Sequence, residues 1–330
     1  MIQLRPVTVA GTGSYLPEKV MTNDDLAKFV DTSDEWITTR TGIKERRIAA
    51  EGENTSDLST AAARKALEQA GMSPADLDLI IVATITPDTL TPATACYVQA
   101  SLGAKAAMAF DVSAACSGFL YAMKIAKRMI ASGAIENALI IGAEKLSAFT
   151  NWEDRNTCVL FGDGAGAAVL RPSREGEGSI IATDIGTDGD QTGILNIPGG
   201  GSACPTTPAN AAEKLATLGM QGREVFKHAV TRMRASADTV IQRAGWSAEE
   251  IALVIPHQAN LRIVDAIADR LDVPNEKVFV NLHKYGNTSA AAVAIALDEA
   301  HREGAFKRGD KIVLVVFGAG LTWAAAAIEW

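Results

Sequence analysis

Cys116 is the side chain whose type and position most clearly suggest chemistry. Apolar residues 106–110 predict a buried strand before it, and residues 120–127 predict a helix after it. A helix N-terminus carries partial positive charge and free N–H groups. Such a position lowers the pKa of a cysteine to about 3.5–7.5 and can stabilise an oxyanion. Cys116 is therefore predicted to be a nucleophile, with a buried structural cysteine as the alternative.

The two halves of the chain resemble each other in sequence. Residues 70–81 match residues 244–255, and residues 132–135 match residues 303–306, with offsets of 244 − 70 = 174 and 304 − 133 = 171. Self-similarity at half the chain length indicates a duplicated unit. Because apolar strands alternate with helices, we expect mostly parallel sheets with helices on their faces.

The duplication predicts partners for Cys116. With the later offset, 287 − 171 = 116, so Asn287 takes the equivalent position in the second half. His257 directly follows the predicted strand 251–255. A pseudo-twofold axis would bring these strand ends together, so we expect the three side chains to converge. A structural histidine is the alternative for His257.

Composition narrows the class of protein. The chain has 330 residues, 48% of them hydrophobic, and a net charge of −8. This length supports a large core, and the acidic balance argues against a nucleic-acid groove. We expect no transmembrane helix and no signal peptide at residues 1–6. The four cysteines form no CxxC pair, which predicts a reduced cytosolic protein without a metal site.

Three further segments carry less specific signals. Trp36 and Arg40, four residues apart in a polar stretch predicted to be irregular (31–43), could hold an adenine ring or simply cover the core. The glycines of 161–167 lead into a predicted strand, so close backbone packing is favoured over phosphate binding. Residues 171–222 are rich in Gly, Pro and Thr and are predicted to be the most flexible part.

Four motifs together resemble the 3-oxoacyl-(acyl-carrier-protein) synthase III family, which initiates bacterial fatty-acid synthesis. They are DVSAACSGF at 111–119, FGDGAGA at 161–167, PHQAN at 256–260 and GNTS at 286–289. The resemblance covers essentially the whole chain. It implies an α/β, thiolase-like layered αβαβα fold built from two duplicated halves, which we place at 1–172 and 173–330. It also implies a cytoplasmic homodimer with no cofactor beyond its CoA thioester substrate.

The resemblance implies a catalytic triad of Cys116, His257 and Asn287 in a decarboxylative condensation. Cys116 would take an acyl group from acyl-CoA, and malonyl-acyl carrier protein would then lose CO2. His257 and Asn287 would stabilise the enolate as hydrogen-bond donors. The backbone N–H groups of Cys116 and Ala319 would hold the second oxyanion. Because an amide cannot act as a base, Asn287 argues against a thiolase.

The resemblance also assigns binding residues. Those expected to hold the CoA adenine and phosphate are Trp36, Arg40 and Arg155. Those expected to line the acyl pocket are Thr91, Leu160 and Phe226, with Thr91 supplied across the dimer. Those expected to receive the acidic carrier protein are Lys227, Gln258, Arg262 and Arg270.

Three residues depart from the pattern of this family. Asp269 stands where a second basic residue is usual, so we expect weaker or shifted carrier docking. Ala319 replaces a loop glycine but keeps its backbone N–H, so activity should survive. Thr91 replaces a phenylalanine at the base of the acyl pocket, which predicts a deeper pocket and primers longer than acetyl.

Other functions stay open at this stage. The nearest alternative is a starter synthase of the same fold that serves polyketides or other secondary metabolites. A cysteine hydrolase would release the acyl group to water, and a non-catalytic acyl-binding protein would have no use for the three polar residues. The presence of Cys116, His257 and Asn287 argues against the last of these.

Overall fold

The computed structural model describes residues 4–330, so the signal-peptide expectation falls partly outside the described residues. The helices are α1 (Asn23–Leu26), α2 (Asp34–Thr41), α3 (Thr55–Ala70), α4 (Thr94–Leu102), α5 (Gly118–Ala131), α6 (Arg155–Cys158), α7 (Gly222–Ala244), α8 (Leu261–Arg270), α9 (Leu282–Tyr285) and α10 (Ala292–Arg302). The strands are β1 (Val7–Tyr15), β2 (Lys19–Thr22), β3 (Glu45–Ile48), β4 (Leu79–Ala83), β5 (Met108–Val112), β6 (Ala138–Glu144), β7 (Gly164–Pro172), β8 (Ile180–Thr187), β9 (Leu195–Asn196), β10 (Gly219–Met220), β11 (Ile251–Pro256), β12 (Lys311–Gly318) and β13 (Thr322–Glu329).

Two sheets form the framework, one from each half of the chain. The first has the order β1-β7-β6-β4-β5 and the second the order β11-β12-β13-β8. Only the pairs β4–β5, β4–β6 and β11–β12 are parallel within these two sheets. The expectation of mostly parallel sheets is therefore wrong. Strands such as β12 and β13 are joined by a short loop, which forces antiparallel pairing.

The helices complete five layers. Apolar residues of α5 and α10 pack in one core with residues of both sheets, so these two helices lie between the sheets. Helices α3 and α4 cover the outer face of the first sheet, and α7 packs on the outer face of the second, with α8 beside it. The layer order is α, β, α, β, α, which confirms the predicted fold. Since both halves share the central core, the division at residue 172 stays a prediction.

The duplication is visible at the two turns that enter the central helices. A short 3₁₀ helix precedes each, Ala115–Ser117 before α5 and Ser289–Ala291 before α10. Both open on a left-handed residue, with φ of 46° at Ala115 and 49° at Ser289. The offset is 289 − 115 = 174, so Cys116 is equivalent to Ala290. The predicted equivalence with Asn287 is wrong. The offset is 171 only beyond the two central helices, because α5 has 14 residues and its counterpart α10 has 11.

Some local predictions also change. The stretch 31–43 contains α2, whose first turn is capped by the Ser33 hydroxyl and whose end is marked by Gly42 at φ 79°. The predicted strand 278–280 makes only an isolated bridge between Val278 and Val254. The segment 171–222 begins with β8, which pairs with β13, so its first part is regular sheet. Capping and pairing across the fold outweigh composition in these places.

Candidate active site

Cys116 lies where β5 gives way to α5, as predicted. Its 3₁₀ turn runs directly into the helix, and the side chain is buried. Burial raises the pKa of the Cys116 thiol to about 12, because a thiolate loses its hydration there. The sequence-based expectation of a lowered pKa is therefore wrong. The thiol is therefore neutral near pH 7.

The loop after β12 packs directly on the Cys116 turn. A Cβ atom added at Gly318 would lie 2.7 Å from the Cys116 backbone nitrogen, so only glycine fits. The Thr322 hydroxyl lies 3.0 Å from both the Ala114 and the Ala319 carbonyl oxygens and holds the two segments together. The Ala319 peptide is thereby fixed beside Cys116, where a backbone N–H is needed for an oxyanion.

His257 follows β11 and is fixed by its own backbone. Its N–H donates to the Val315 carbonyl at 2.8 Å, and the side chain is 4% exposed. Burial lowers the pKa of His257 to about 4, because the imidazolium ion would lose its hydration. Its Nδ1 atom has no hydrogen-bond partner among residues 4–330. The ring is therefore neutral near pH 7 and carries one N–H donor.

Asn287 follows α9 and is held on three sides. Its N–H donates to the Leu160 carbonyl at 2.8 Å, and its carbonyl accepts from Gly162 at 3.1 Å. Its side-chain Oδ1 accepts from the Ser289 backbone N–H at 2.9 Å. Since the oxygen is used in this way, the amide NH2 is the end left for a substrate. Asn287 is therefore presented as a donor.

These side chains share one cavity of about 640 Å³. Cys116, His257, Asn287 and Ala319 line it together with Trp36. The structure thus brings the three predicted catalytic side chains to one site, although the reason given for Asn287 from the repeat was wrong. Most of the remaining lining is apolar, which suits an acyl chain.

The side chains of the three predicted CoA-binding residues cluster at the Trp36 ring. The Arg40 guanidinium is 4.5 Å and the Arg155 guanidinium 4.9 Å from the centre of the Trp36 ring. Arg155 also donates to the Asp31 carbonyl at 2.8 Å. Arg223, at the start of α7, lines the same cavity and was missed by the sequence analysis. The sequence signal that could have identified Arg223 is its position three residues before Phe226, a predicted pocket residue.

The predicted acyl-pocket residues separate into two groups. Leu160 and Phe226 line the cavity. Thr91 does not, because it lies exposed in the loop before α4. A contribution from Thr91 therefore requires a second protomer.

The predicted carrier-protein residues are exposed with one exception. Lys227, Arg262 and Arg270 are at the surface, and Arg262 also borders the cavity. Gln258 is buried: it donates to the Pro256 and Phe279 carbonyls at 2.8 and 3.0 Å, and its oxygen accepts from two backbone N–H groups at 281 and 282. The prediction that Gln258 meets the carrier protein is wrong, because every polar atom of its side chain is used internally. It anchors the start of α9 instead.

The glycine-rich segment 161–167 packs closely, as predicted. A Cβ atom at Gly162 would lie 2.3 Å from the Tyr285 carbonyl oxygen, and one at Gly166 would lie 2.6 Å from Ala294. Asp163 accepts from the Ala49 N–H at 2.8 Å and from the Ser147 hydroxyl at 2.6 Å. These contacts hold the loop that carries Leu160 against Asn287.

No group of three or more His, Cys, Asp or Glu side chains is arranged to hold a metal ion in residues 4–330. None of the helices described there combines the length and the apolar character needed to cross a bilayer.

Comparison with known proteins identifies the family of this chain. Family models described as 3-oxoacyl-[acyl-carrier-protein (ACP)] synthase III and its C-terminal part match residues 110–189 and 241–330. The beta-ketoacyl-[acyl-carrier-protein] synthase III of Caldanaerobacter subterraneus subsp. tengcongensis is 56% identical over 98% of this chain and 97% of its own. That of Aquifex aeolicus is 53% identical, over 98% of this chain and 99% of its own.

Solved structures give the same result. A 3-oxoacyl-[acyl-carrier-protein] synthase III from Aquifex aeolicus superposes with a TM-score of 0.91 at 52% identity, covering 98% of this chain and all of its own. The priming beta-ketosynthase of the R1128 polyketide pathway also has a TM-score of 0.91, at 38% identity over 99% of this chain and 97% of its own. By identity over nearly its full length, the chain belongs to the beta-ketoacyl-[acyl-carrier-protein] synthase III family of condensing enzymes.

Proposed function

We propose that the protein starts fatty-acid synthesis by condensing an acyl-CoA primer with malonyl-acyl carrier protein, giving 3-oxoacyl-carrier protein, CoA and CO2. The observation that carries this proposal is the single cavity that holds a cysteine, a neutral histidine and an asparagine amide presented as a donor. A base is not needed in that set, because departure of CO2 supplies the carbanion.

In the first half-reaction, Cys116 attacks the primer thioester and CoA leaves. The acyl group stays on the sulfur as a thioester, which divides the transfer into two easier steps. Negative charge develops on the former carbonyl oxygen. The backbone N–H groups of Cys116 and Ala319 suit this charge, because the Gly318 and Thr322 contacts hold the two peptides together.

In the second half-reaction, the malonyl thioester loses CO2 and an enolate forms. The neutral His257 ring and the Asn287 NH2 group are the donors for its oxygen. A neutral donor suits this step because a buried imidazolium ion would be costly. The enolate carbon then attacks the acyl group on Cys116 and regenerates the thiol.

The mouth of the cavity suits a CoA thioester and an acidic carrier. The guanidinium groups of Arg40 and Arg155 lie over the Trp36 ring, and such a cluster suits an adenine ring and a phosphate group. Arg223 and Arg262 add positive charge at the same opening. A long phosphopantetheine arm can reach Cys116 from this opening whether it comes from CoA or from a carrier protein. The free cysteines suit the reducing cytoplasm, and the chemistry needs no resident cofactor.

A homodimer is part of the proposal. Strand β5 is the edge of the first sheet, and its Met108 and Phe110 side chains are exposed. Leu90 in the nearby loop is 91% exposed. An apolar sheet edge of this kind is a typical surface for pairing with a second copy. Pairing there would bring Thr91 of one protomer towards the cavity of the other.

The second candidate is a starter synthase for another pathway. It is favoured by the likeness to the priming ketosynthase of the R1128 pathway and by the small Thr91. The greater identity to the fatty-acid enzymes favours the first candidate.

Mass spectrometry of the intact protein tests the proposal. After mixing with acetyl-, butyryl- or octanoyl-CoA, the mass of the protein should rise by one acyl group, and the Cys116→Ser variant should show no such rise. Malonyl-carrier protein should then remove the adduct and yield 3-oxoacyl-carrier protein. Loss of the adduct to water alone would favour a hydrolase, and discharge by another acceptor would favour the starter synthase.

The Gly318 contact predicts a sharp contrast between neighbours. Gly318→Ala places a methyl group against the Cys116 backbone nitrogen, so acylation should fall by about 10²–10³, the usual loss of one oxyanion donor. Ala319→Gly keeps the backbone N–H and should retain activity within about threefold. Stopped-flow acylation rates, with circular dichroism to check folding, measure both. Equal rates in the two variants would contradict this account of the loop.

Thr91 predicts primer length. If it lines the base of the partner's pocket, hexanoyl-CoA should be used at a rate within about tenfold of acetyl-CoA. Thr91→Phe should then reduce hexanoyl transfer by about 10-fold or more and spare acetyl transfer, because bulk closes the pocket without touching the reacting atoms. Competition assays with mixed primers give the ratio directly. Use of acetyl and propionyl alone by the parent protein would rule out the deeper pocket.

A further inference from the structure

Glu144 is a buried carboxyl group that the mechanism above does not use. It ends β6, has no solvent exposure, and accepts from the Thr86 hydroxyl at 2.6 Å and the Thr84 hydroxyl at 3.1 Å. The Ile85 backbone N–H lies 3.1 Å from the same carboxyl oxygen. Three consecutive residues of one loop, 84–86, therefore hold this side chain in a fixed place.

No lysine, arginine or histidine in the described range 4–330 forms an ion pair with Glu144. The ammonium group of its neighbour Lys145 donates to the Glu53 backbone carbonyl, and the Asp163 carboxylate accepts from Ala49 and Ser147. The titratable group that faces Glu144 is Cys116, whose pKa Glu144 helps to raise. Burial raises the pKa of Glu144 to about 7 in spite of its hydrogen bonds. Glu144 can therefore exchange a proton near neutral pH.

Ser289 stands between these two groups. Its hydroxyl is buried and forms no hydrogen bond with any other group in residues 4–330. The turn that Ser289 opens packs against both the Cys116 turn and strand β6, which ends at Glu144. Ser289 and Cys116 line the same cavity, and the Ser289 hydroxyl helps to lower the pKa of both Cys116 and Glu144. Because this hydroxyl has no other partner among residues 4–330, it is available to bridge the thiol and the carboxylate.

His257 is the other group that could take the thiol proton. Its pKa of about 4 disfavours the imidazolium ion. The second half-reaction also needs its ring N–H as a donor, and a ring that has gained a proton must lose it again before malonyl enters. His257 is thus suited to donate a hydrogen bond to the enolate and poorly suited to hold the proton of the thiol.

We propose that Glu144 accepts the proton of Cys116 through the Ser289 hydroxyl during acylation. The S–H bond breaks as its proton passes to the Ser289 oxygen, and the Ser289 hydroxyl proton passes to the Glu144 carboxylate. The thiolate then attacks the primer. The proton returns along the same route to the departing CoA sulfur, so that CoA leaves as a thiol and Glu144 is again ionised. This role rests on the proposed role of Cys116 as nucleophile.

Charge explains why this route is favoured. Loss of the thiol proton to water would leave two negative charges, on sulfur and on Glu144, at two buried positions. Transfer to Glu144 keeps a single negative charge there throughout the step. Because like charges in a buried site repel strongly, the internal transfer avoids the larger cost.

Two variants separate this role from a structural one. Glu144→Gln keeps the shape and one acceptor oxygen, and Ser289→Ala keeps the backbone N–H that holds Asn287. Each should slow single-turnover acylation by acyl-CoA by about 10²-fold, a typical loss for proton transfer. Discharge of protein that has been acylated by long incubation should stay within about threefold, because malonyl decarboxylation does not use this route.

Ser117→Ala is the matched control. Its hydroxyl is also buried and without a partner in the described part of the chain, yet it does not line the cavity, so its acylation rate should stay within about threefold. Thermal unfolding checks each variant, and Ser289→Ala decides the question if Glu144→Gln does not fold. Cys116→Ser, which should form no adduct at all, separates failure of this proposal from failure of the nucleophile.

Three results would overturn the proposal. Faster acylation in Glu144→Gln would show that the carboxylate acts only through its charge, which disfavours the thiolate. An equal loss in both half-reactions would show a structural role. Unchanged acylation in both variants would assign the proton to His257. A further measurement is the alkylation of Cys116 by iodoacetamide, whose rate should rise through about pH 7 in the parent protein and lose that rise in Glu144→Gln.

Discussion

The contact between two short helical turns at the centre of the fold is the constraint on which the site depends. The turns Ala115–Ser117 and Ser289–Ala291 enter the paired helices α5 and α10, which lie between the two sheets. A Cβ atom at Gly142 would lie 2.2 Å from the Ala290 carbonyl oxygen, and one at Gly118 would lie 2.8 Å from Ala83. There is no space for side chains at these places, so the turns are held in one arrangement. That arrangement puts Cys116 from one half of the chain in one cavity with His257 and Asn287 from the other.

Burial is the second constraint, and it acts on every polar group of the site in the same direction. It disfavours ions, so it raises the pKa of Cys116 and Glu144 and lowers that of His257. A neutral histidine and an oriented amide suit an enolate, which oriented donors stabilise. The same burial hinders formation of a thiolate. In the proposed mechanism, burial therefore suits the decarboxylation step, whereas the acylation step needs an acceptor for the thiol proton.

The family resemblance of four motifs implied the layers, and the duplication predicted the convergence of Cys116, His257 and Asn287, although through a wrong equivalence for Asn287. The sequence could not predict which residue pairs with Cys116 across the pseudo-twofold axis, since a three-residue difference between α5 and α10 changes the offset after the turn. The burial of Gln258 was also out of reach, because its partners come from the distant segment 279–282. The raised pKa of Cys116 depends on how deeply its side chain is buried in the folded chain. The sequence shows only the helix N-terminus, which predicts a lowered pKa.

Asn287→Asp offers the most direct test of the central claim, that the two half-reactions use different groups in one cavity. The variant keeps an oxygen for the Ser289 N–H but replaces the NH2 donor by an acceptor. Single-turnover assays should show acylation by acyl-CoA within about fivefold of the parent protein. Release of CO2 from malonyl-carrier protein should fall by about 10²–10³, the usual loss for one oxyanion donor. Loss of acylation with unchanged CO2 release would contradict the account.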